Sequence, residues 1–447
     1  MSKALEHLRS EWREAAGSNA SAGALAGVRS AAFERFAETG FPGPRAEQWR
    51  QLNVAALARR PLAIARPKLA VLDDTVLASL DALRADGPLL VLVNGRYQPD
   101  LSDPLPDEIA LRALSTGTLP EDDAVAVLTR SESDLADPRA WAFVDLNTAL
   151  APDLVELSFD RSVDQDAPPL QVACVASAGV ADAVSCPRLV LRVAEDVRAH
   201  LVEHAIAGRG ERPLALSFTR VEAAEGANLK YEIADHHGEG AGRIGRTEIT
   251  LSERAQVAVH ANAVGDGLVR ADVIARLAAP HAGFEFRALA LGRGRQHLEY
   301  LVDADHAAPS TTSDQIFKAI GKDRSRAVFT SRAKVAEDAQ HIDSKQLSRG
   351  LILSPGAQIN TRPQLEIYAD DVVCAHGATI GQLDEDALFY LRSRGVPVAQ
   401  ARAMLLDAFV EDLIGMVGTA SVREAVRTRA YAFTHVDDAD THDGDDA

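Results

Sequence analysis

Apolar residues recur through the first forty positions at the spacing of a helix. Leu5, Leu8 and Trp12 fall on one face of a first segment. Leu25, Val28, Ala32 and Phe36 fall on one face of a second, which stops near Gly40. FPGP then breaks the pattern, because proline offers no N–H and excludes helical geometry before it. After EQWRQLNVAALARR, the stretch LLVLVNGRYQPDLS places Asn94-Gly95 between apolar residues, a hairpin signal. The pattern predicts a mainly helical region over residues 1–165.

From about Pro187 the texture changes to short β-rich runs: LALSFTRV, NLKYEIA, RTEITL, QVAVHA, GFEFRALAL, HLEYLVDA and LEIYADDVV, separated by Gly, Asp, Asn or Pro. A sandwich, a barrel or a β-helix would satisfy such a series. Hairpin dipeptides are scarce, with only Asp266-Gly267 standing out, which favours stacked β-helix coils whose corners are isolated Gly, Asp and Asn. No strict six- or nine-residue repeat is visible. The expected fold is mainly β, a β-helix core over 166–383 flanked by N-terminal and C-terminal helical domains.

Helical signals return at Asp384, an N-cap for DEDALFYLRSRG, with Asp386 in its first turn and Gly395 as the C′ residue. Pro397 opens the next helix, with Ala401, Leu405, Ala408 and Leu413 on one face, and Ser421 with Glu424 forms a capping box for a third. These predict a helical domain over 384–430. The ending HVDDADTHDGDDA carries six aspartates and predicts a disordered acidic tail over 431–447.

With 447 residues, 47% apolar and 25% charged, the chain can bury one large core or two to three ordinary ones. A net charge of −18 repels the phosphate backbone and argues against nucleic-acid binding. MSKALEHLRSEWREAAG has no apolar h-region, and no segment approaches the ~18 unbroken apolar residues of a membrane span. A cytoplasmic protein is expected. Cys174, Cys186 and Cys374 are too few and too irregular for a disulfide framework.

Most chemical motifs fail on context. Gly240, Gly242 and Gly245 satisfy G-x-G-x-x-G, but RTEITL alternates as a strand, where a dinucleotide site needs a helix N-terminus. Gly321-Lys322 resembles the end of a phosphate loop, yet Ile316 takes the first glycine position and Asp323 replaces the magnesium-binding hydroxyl. Neither G-x-S-x-G nor H-E-x-x-H occurs. His236-His237 reads as a solvated turn, since neighbours on a strand face opposite ways. Cys174 and Cys186 read as small hydrophobes in the core.

Cys374 and His376 differ, because residues i and i+2 of a strand share a face and can offer a thiolate and an imidazole to one point. Burial or idle exposure at a strand end is the alternative. Two donors fall short of the three or four that zinc and iron–sulfur sites use, so the others must come from distant residues or another polypeptide.

The segment TRPQLEIYADDVVCAHGATIGQLDEDALFYLRSRG, residues 361 to 395, resembles the SufB/SufD family of the SufBCD iron–sulfur cluster assembly scaffold, on its SufD branch. FKAIGKDRSRAVFTSRAKVAEDAQHIDSKQLSRGLILSPGAQINTRPQLEIYA resembles the core shared by that family, and PRAEQWRQLNV its amino-terminal region. The resemblance implies a right-handed parallel β-helix that pairs with a SufB-like subunit, with C-terminal helices that hold a SufC-like ATPase. It also implies a transient iron–sulfur cluster at the interface with SufB and none bound by the isolated chain; a homodimer of the isolated chain stays an open alternative. The family's interface histidine falls on His376 and the preceding cysteine on Cys374. Many relatives read KCSHGAT where this chain has VCAHGAT, and losing that lysine removes one influence that lowers a thiol pKa. The resemblance thus implies a non-enzymatic scaffold. Two other classes fit parts of the sequence: a β-helix polysaccharide lyase or hydrolase using Asp370-Asp371, and a self-contained metalloprotein using Cys374, His376 and distant histidines.

Overall fold

The computed structural model describes residues 3–18, 23–65, 72–129, 138–164, 167–177, 182–208, 212–263 and 265–435. Its core is a parallel β-solenoid. From Arg188 to Gly381 successive strands are laid alternately into two sheets, so each coil contributes one strand to each. Among the described residues sheet A has 11 strands and sheet B has 10. Register partners in neighbouring coils stand about 29 residues apart, as Val269 and Leu298 do in sheet A.

The mark of this repeat is conformational. At one corner of successive coils a single residue is left-handed: Asp196 (φ 53), Gly226 (φ 65), Arg254 (φ 58), His281 (φ 62), Ser310 (φ 58) and His341 (φ 62). The N–H groups of Asp196, Gly226, Arg254, Ser310 and His341 donate to the carbonyls of Glu225, Glu253, Pro280, Gln340 and Asp371, one coil onward. The chain then turns inward on a buried residue, Ala227, Ala255 and Ala282 among them. LEIYADDVV, expected as one strand, is split by the next corner, which has no left-handed residue: Gln358–Ile367 ends sheet A and Val372–Gly381 ends sheet B.

Inside, alternation supplies the core. Val257, Val259 and Ala261 line one coil and Phe284, Phe286 and Ala288 the next, with Phe317 and Phe329 stacked at 4.8 Å. Each such aromatic contributes about 1.5–3 kcal/mol by burial. The sheets also reach into the first third. Leu89–Val93 pairs in parallel with Leu170–Ala176 and, across Asn94-Gly95 (φ 52 and 82), antiparallel with Arg96–Tyr97. Ile109–Ala113 pairs antiparallel with Val155–Phe159.

The N-terminal helices Lys3–Ser18 and Ala24–Thr39 and the helix Pro138–Leu150 pack on sheet A through Leu8, Phe33, Phe36 and Phe143 against Leu214, Leu216 and Ile244. The EQWRQ tract is pinned there by arginines: Arg270 donates to Gln48 O (2.7 Å) and lies 3.7 Å over Trp49, Arg326 donates to Gln51 O (3.2 Å), and Arg362 pairs with Glu47. At the other end Asp384 caps Glu385–Ser393 as expected, accepting from Asp386 and Ala387, and Gly395 (φ 84) follows it.

The helices Val398–Ile414 and Ala420–His435 cover sheet B, where Leu406, Val410, Leu413 and Val422 meet Val202, Ala234, Leu289 and Ile320. Two expectations are corrected here. Ala401 and Leu413 are buried as expected, but the stripe between them runs through Leu406 and Val410, with Leu405 half-buried and Ala408 exposed. Both stripes have helical spacing, and the apolar face of sheet B selects between them. Ser421 forms no capping box, for its hydroxyl has no hydrogen-bond partner. The buried carboxylate of Glu232 instead accepts from Gly418 N (2.9 Å) and Thr419 N (3.2 Å), the anion that the helix N-terminus favours. The helix runs to His435, and the acidic stretch 436–447 lies outside the described residues.

The corner geometry predicts a position-specific response at exposed His281. A β-branched side chain at this φ is strained by about 1–2 kcal/mol, whereas glycine relieves the strain. His281→Val should lower the unfolding midpoint in a thermal melt, and His281→Gly should not; equal midpoints would refute the corner assignment.

Candidate functional site

The solenoid's last two strands set the site. Among the described residues Gln358–Ile367 ends sheet A and Val372–Gly381 ends sheet B, each with a neighbouring strand on one side only. Parallel register puts Cys374 beside Ser344 and His376 beside Gln346. Ser344 and Gln346 are buried in the lumen, so Cys374 and His376 lie on the lumen side of a coil that no further coil covers. Cys374 is half-buried against the cluster of Val335, Ile342 and Ala369, and His376 is exposed.

Burial, then the Asp343 carboxylate, pushes the Cys374 thiol above its ordinary range, against a weaker opposing hydrogen bond at Ser344. It therefore rests as a thiol at neutral pH, a weak nucleophile and a reluctant ligand. Among the described residues no three of His, Cys, Asp and Glu gather in a metal-holding arrangement. The pair offers two donors.

Exposed large apolar side chains concentrate in the C-terminal part of the chain. Every exposed large apolar side chain among the described residues except Leu77 lies between Ile367 and Tyr431: Tyr368 (62%) and Val373 (67%) at the last coil, Phe389 (72%) and Tyr390 (57%) on the first C-terminal helix.

The remaining sequence candidates separate from this site. Gly242 and Gly245 lie within the strand Gly242–Leu251, and Gly321 ends the strand Thr312–Gly321, so neither motif forms a phosphate loop. Asp370 and Asp371 form a corner, with Asp371 2.9 Å from His341. Cys174 and Cys186 are buried. The solvated-turn reading of His236-His237 is wrong: His237 is 1% exposed, and His236 stands 3.0 Å from His204, which in turn meets Gln171 at 2.7 Å. Turn composition around Gly238 masked a strand end packed under other chain segments.

Sequence reasoning also missed the polar lumen beneath His376. Gln315, Ser331, Ser344, Gln346 and Ser348 are buried inside the last coils, where Phe286 and Tyr300 fill earlier ones. The spacing of Gln315 and Gln346, about one coil, was the available signal.

Fold and site together define a class: a parallel β-solenoid presenting a thiol–imidazole pair at an uncovered end. The family model described as SUF system FeS cluster assembly, SufBD core domain, matches residues 175–409, and that for the SufBD protein N-terminal region matches residues 5–172. The chain belongs to the SufBD family of iron–sulfur cluster assembly proteins. It is similar to iron–sulfur cluster assembly protein SufD of Escherichia coli strain K12, 26% identical over 403 residues that cover 89% of this chain and 90% of that protein. An iron–sulfur cluster assembly SufBD family protein of Synechocystis is 41% identical over 147 residues, 32% of each chain. Protein ABCI7, chloroplastic, of Arabidopsis thaliana is 29% identical over 249 residues, 55% of this chain and 52% of that one.

The buried histidines predict a pH response. Burial lowers His306, which lies between the hydroxyls of Thr311 and Ser313, from 6.5 to about 4, and burial also depresses His204 and His237. The unfolded chain takes up the His306 proton near pH 6.5 and the folded chain only near pH 4. Stability should therefore fall as pH drops through that window, by up to ~1.4 kcal/mol per pH unit for each group. His306→Gln should flatten the dependence of the melting midpoint on pH between 6.5 and 4; an unchanged slope would remove His306 from this account.

Proposed function

We propose that this chain is a non-catalytic scaffold subunit for iron–sulfur cluster assembly, which pairs with a SufB-like subunit through the uncovered end of its solenoid. The observation that carries the reading is an exposed imidazole on the lumen side of the last coil, beside an edge strand that can accept another chain. His376 and a thiolate of the partner would together hold a transient cluster, with Cys374 in a lesser role. A neutral imidazole is a good iron ligand, and replacing thiolate by imidazole reduces the negative charge on the cluster. Incomplete ligation suits cargo that must be passed on. The isolated chain would hold no cluster, and a homodimer would use the same end.

His376→Ala should leave the complex assembled, since the side chain is exposed and makes no core contact among the described residues. Co-expressed with its partners, the variant should co-elute in normal stoichiometry yet lose most of its iron and sulfide. Wild-type cluster content would sink the half-site.

The same proposal assigns the C-terminal helices to a SufC-like ATPase. They also close the chain's own core over sheet B, so truncation at Gly381 would strip buried Val202, Leu289 and Ile320 of cover. Surface substitution is the cleaner test. Phe389→Asp with Tyr390→Ser alters only side chains that are 72% and 57% exposed. It should weaken ATPase capture in a pull-down by at least about tenfold with an unchanged melting midpoint; undiminished capture would move the ATPase elsewhere.

A further inference from the structure

The lumen column that ends at His376 changes character as it approaches it. Register aligns Val259, Phe286, Gln315, Gln346 and His376 in successive coils of sheet B. The first two are apolar; the glutamines appear only in the coils directly beneath the imidazole. Gln346 is 3% exposed, and its side-chain oxygen Oε1 has no hydrogen-bond partner. Its Nε2 donates to Gln364 O at 3.4 Å, which ties the carboxamide to the last strand of sheet A and leaves the oxygen as the free end. One coil below, Gln315 Oε1 accepts from Ser331 Oγ at 2.8 Å, and its Nε2 is likewise without a partner. A buried amide oxygen lacking a donor is costly and unusual, and a Met or Leu here would avoid the cost.

We propose that Gln346 is a positioning residue for His376: its Oε1 accepts the imidazole N–H that iron does not use, and so turns the other ring nitrogen's lone pair out toward the cluster. This rests on the reading of His376 as an iron ligand. Register partners on adjacent strands stand ~4.8 Å apart on one face, within reach of a rotation of the imidazole. Histidines that ligate metals commonly donate their second N–H to such an acceptor, which fixes tautomer and ring orientation. A carbonyl oxygen has two lone pairs, so Gln346 can take His376 N–H and Gln315 Nε2–H together, and every atom left unpartnered in the column is then satisfied.

The test compares Gln346→Met, which keeps length and loses the acceptor, with Gln346→Glu, which keeps an acceptor. Two readouts are needed: the tautomer of His376 by ¹⁵N NMR of the labelled full-length chain, and iron per complex after co-expression with the SufB-like and SufC-like partners. Wild type should hold one neutral tautomer. Gln346→Met should shift toward the mixture of a free imidazole and lose about tenfold in iron affinity in complexes that still assemble, and Gln346→Glu should restore both. Wild-type iron content in Gln346→Met overturns the proposal, as does an unchanged tautomer or equal damage in Gln346→Glu, which would mark a structural role. Should Gln346→Met fail to fold, Gln346→Ala removes the acceptor without adding bulk and is read the same way. His376→Ala separates the two ideas: if it keeps its iron the half-site itself is wrong, and if it loses iron while Gln346→Met does not, only the role of Gln346 falls.

Discussion

A parallel solenoid satisfies the backbone of each strand with the coil above and the coil below, so it cannot close on itself. Its two ends must be dealt with some other way, because a row of free N–H and C=O groups is a template for any strand that meets it. At the start of the solenoid the chain does this itself, with the short antiparallel strands Arg96–Tyr97 and Ile109–Ala113 finishing the two sheets. At the far end, among the described residues, Gln358–Ile367 and Val372–Gly381 are edges. Pro363 sits in the first of these, a position that proline tolerates at an edge and rarely inside a sheet. The asymmetry between ends determines where a partner can add and where lumen-facing side chains meet solvent.

The flanking regions are tied to the solenoid by apolar contact and oriented by buried charge. Arg270 is fully buried between Glu299, Asp272 and the EQWRQ tract, and Lys318 reaches Phe409 O and Asp412 beneath the C-terminal helices. Arg429 spreads over Leu291 O, Asp266 and Gln296. Such groups contribute little net stability against apolar replacements of the same shape, since desolvation offsets the Coulomb gain. Their geometry is directional, however, and an apolar contact is not. Val202 or Leu289 would accept a helix at several rotations, whereas Glu232 accepts the N–H groups of Gly418 and Thr419 in one. The sequence pattern for the helix Val398–Ile414 allowed two stripes, and these anchors together with the sheet face leave one.

This explains which parts of the protein were legible in its sequence. The strands could be read because each alternates against an apolar lumen, and the scarcity of hairpin dipeptides separated parallel coils from a meander. The coil repeat could not be read, because it is a conformation at one corner, taken by Asp196, Gly226, Arg254, His281, Ser310 and His341, six positions that share φ and no residue type beyond a repeated histidine. The shared face of Cys374 and His376 follows from strand period alone. The buried state of His237 does not, since local composition reports turn propensity and carries nothing about segments packed over it. The polar lumen was invisible for a related reason: a glutamine on a strand reads as outward-facing until the coil that buries it is known.

Position on the edge also orders the donors. Cys374 stacks on Ser344 and packs against Ile342 and Ala369, so ionising it means placing a charge beside apolar side chains and the Asp343 carboxylate. His376, one step further along the strand, stands in solvent, clear of that apolar cluster. Two residues that strand period places on one face are therefore unequal in the fold, one half-buried and one exposed. A thiol held protonated beside an available imidazole adds a metal donor only when something else supplies the charge to draw off its proton. In the proposed half-site an incoming iron would supply that charge, so nitrogen would bind first and sulfur second.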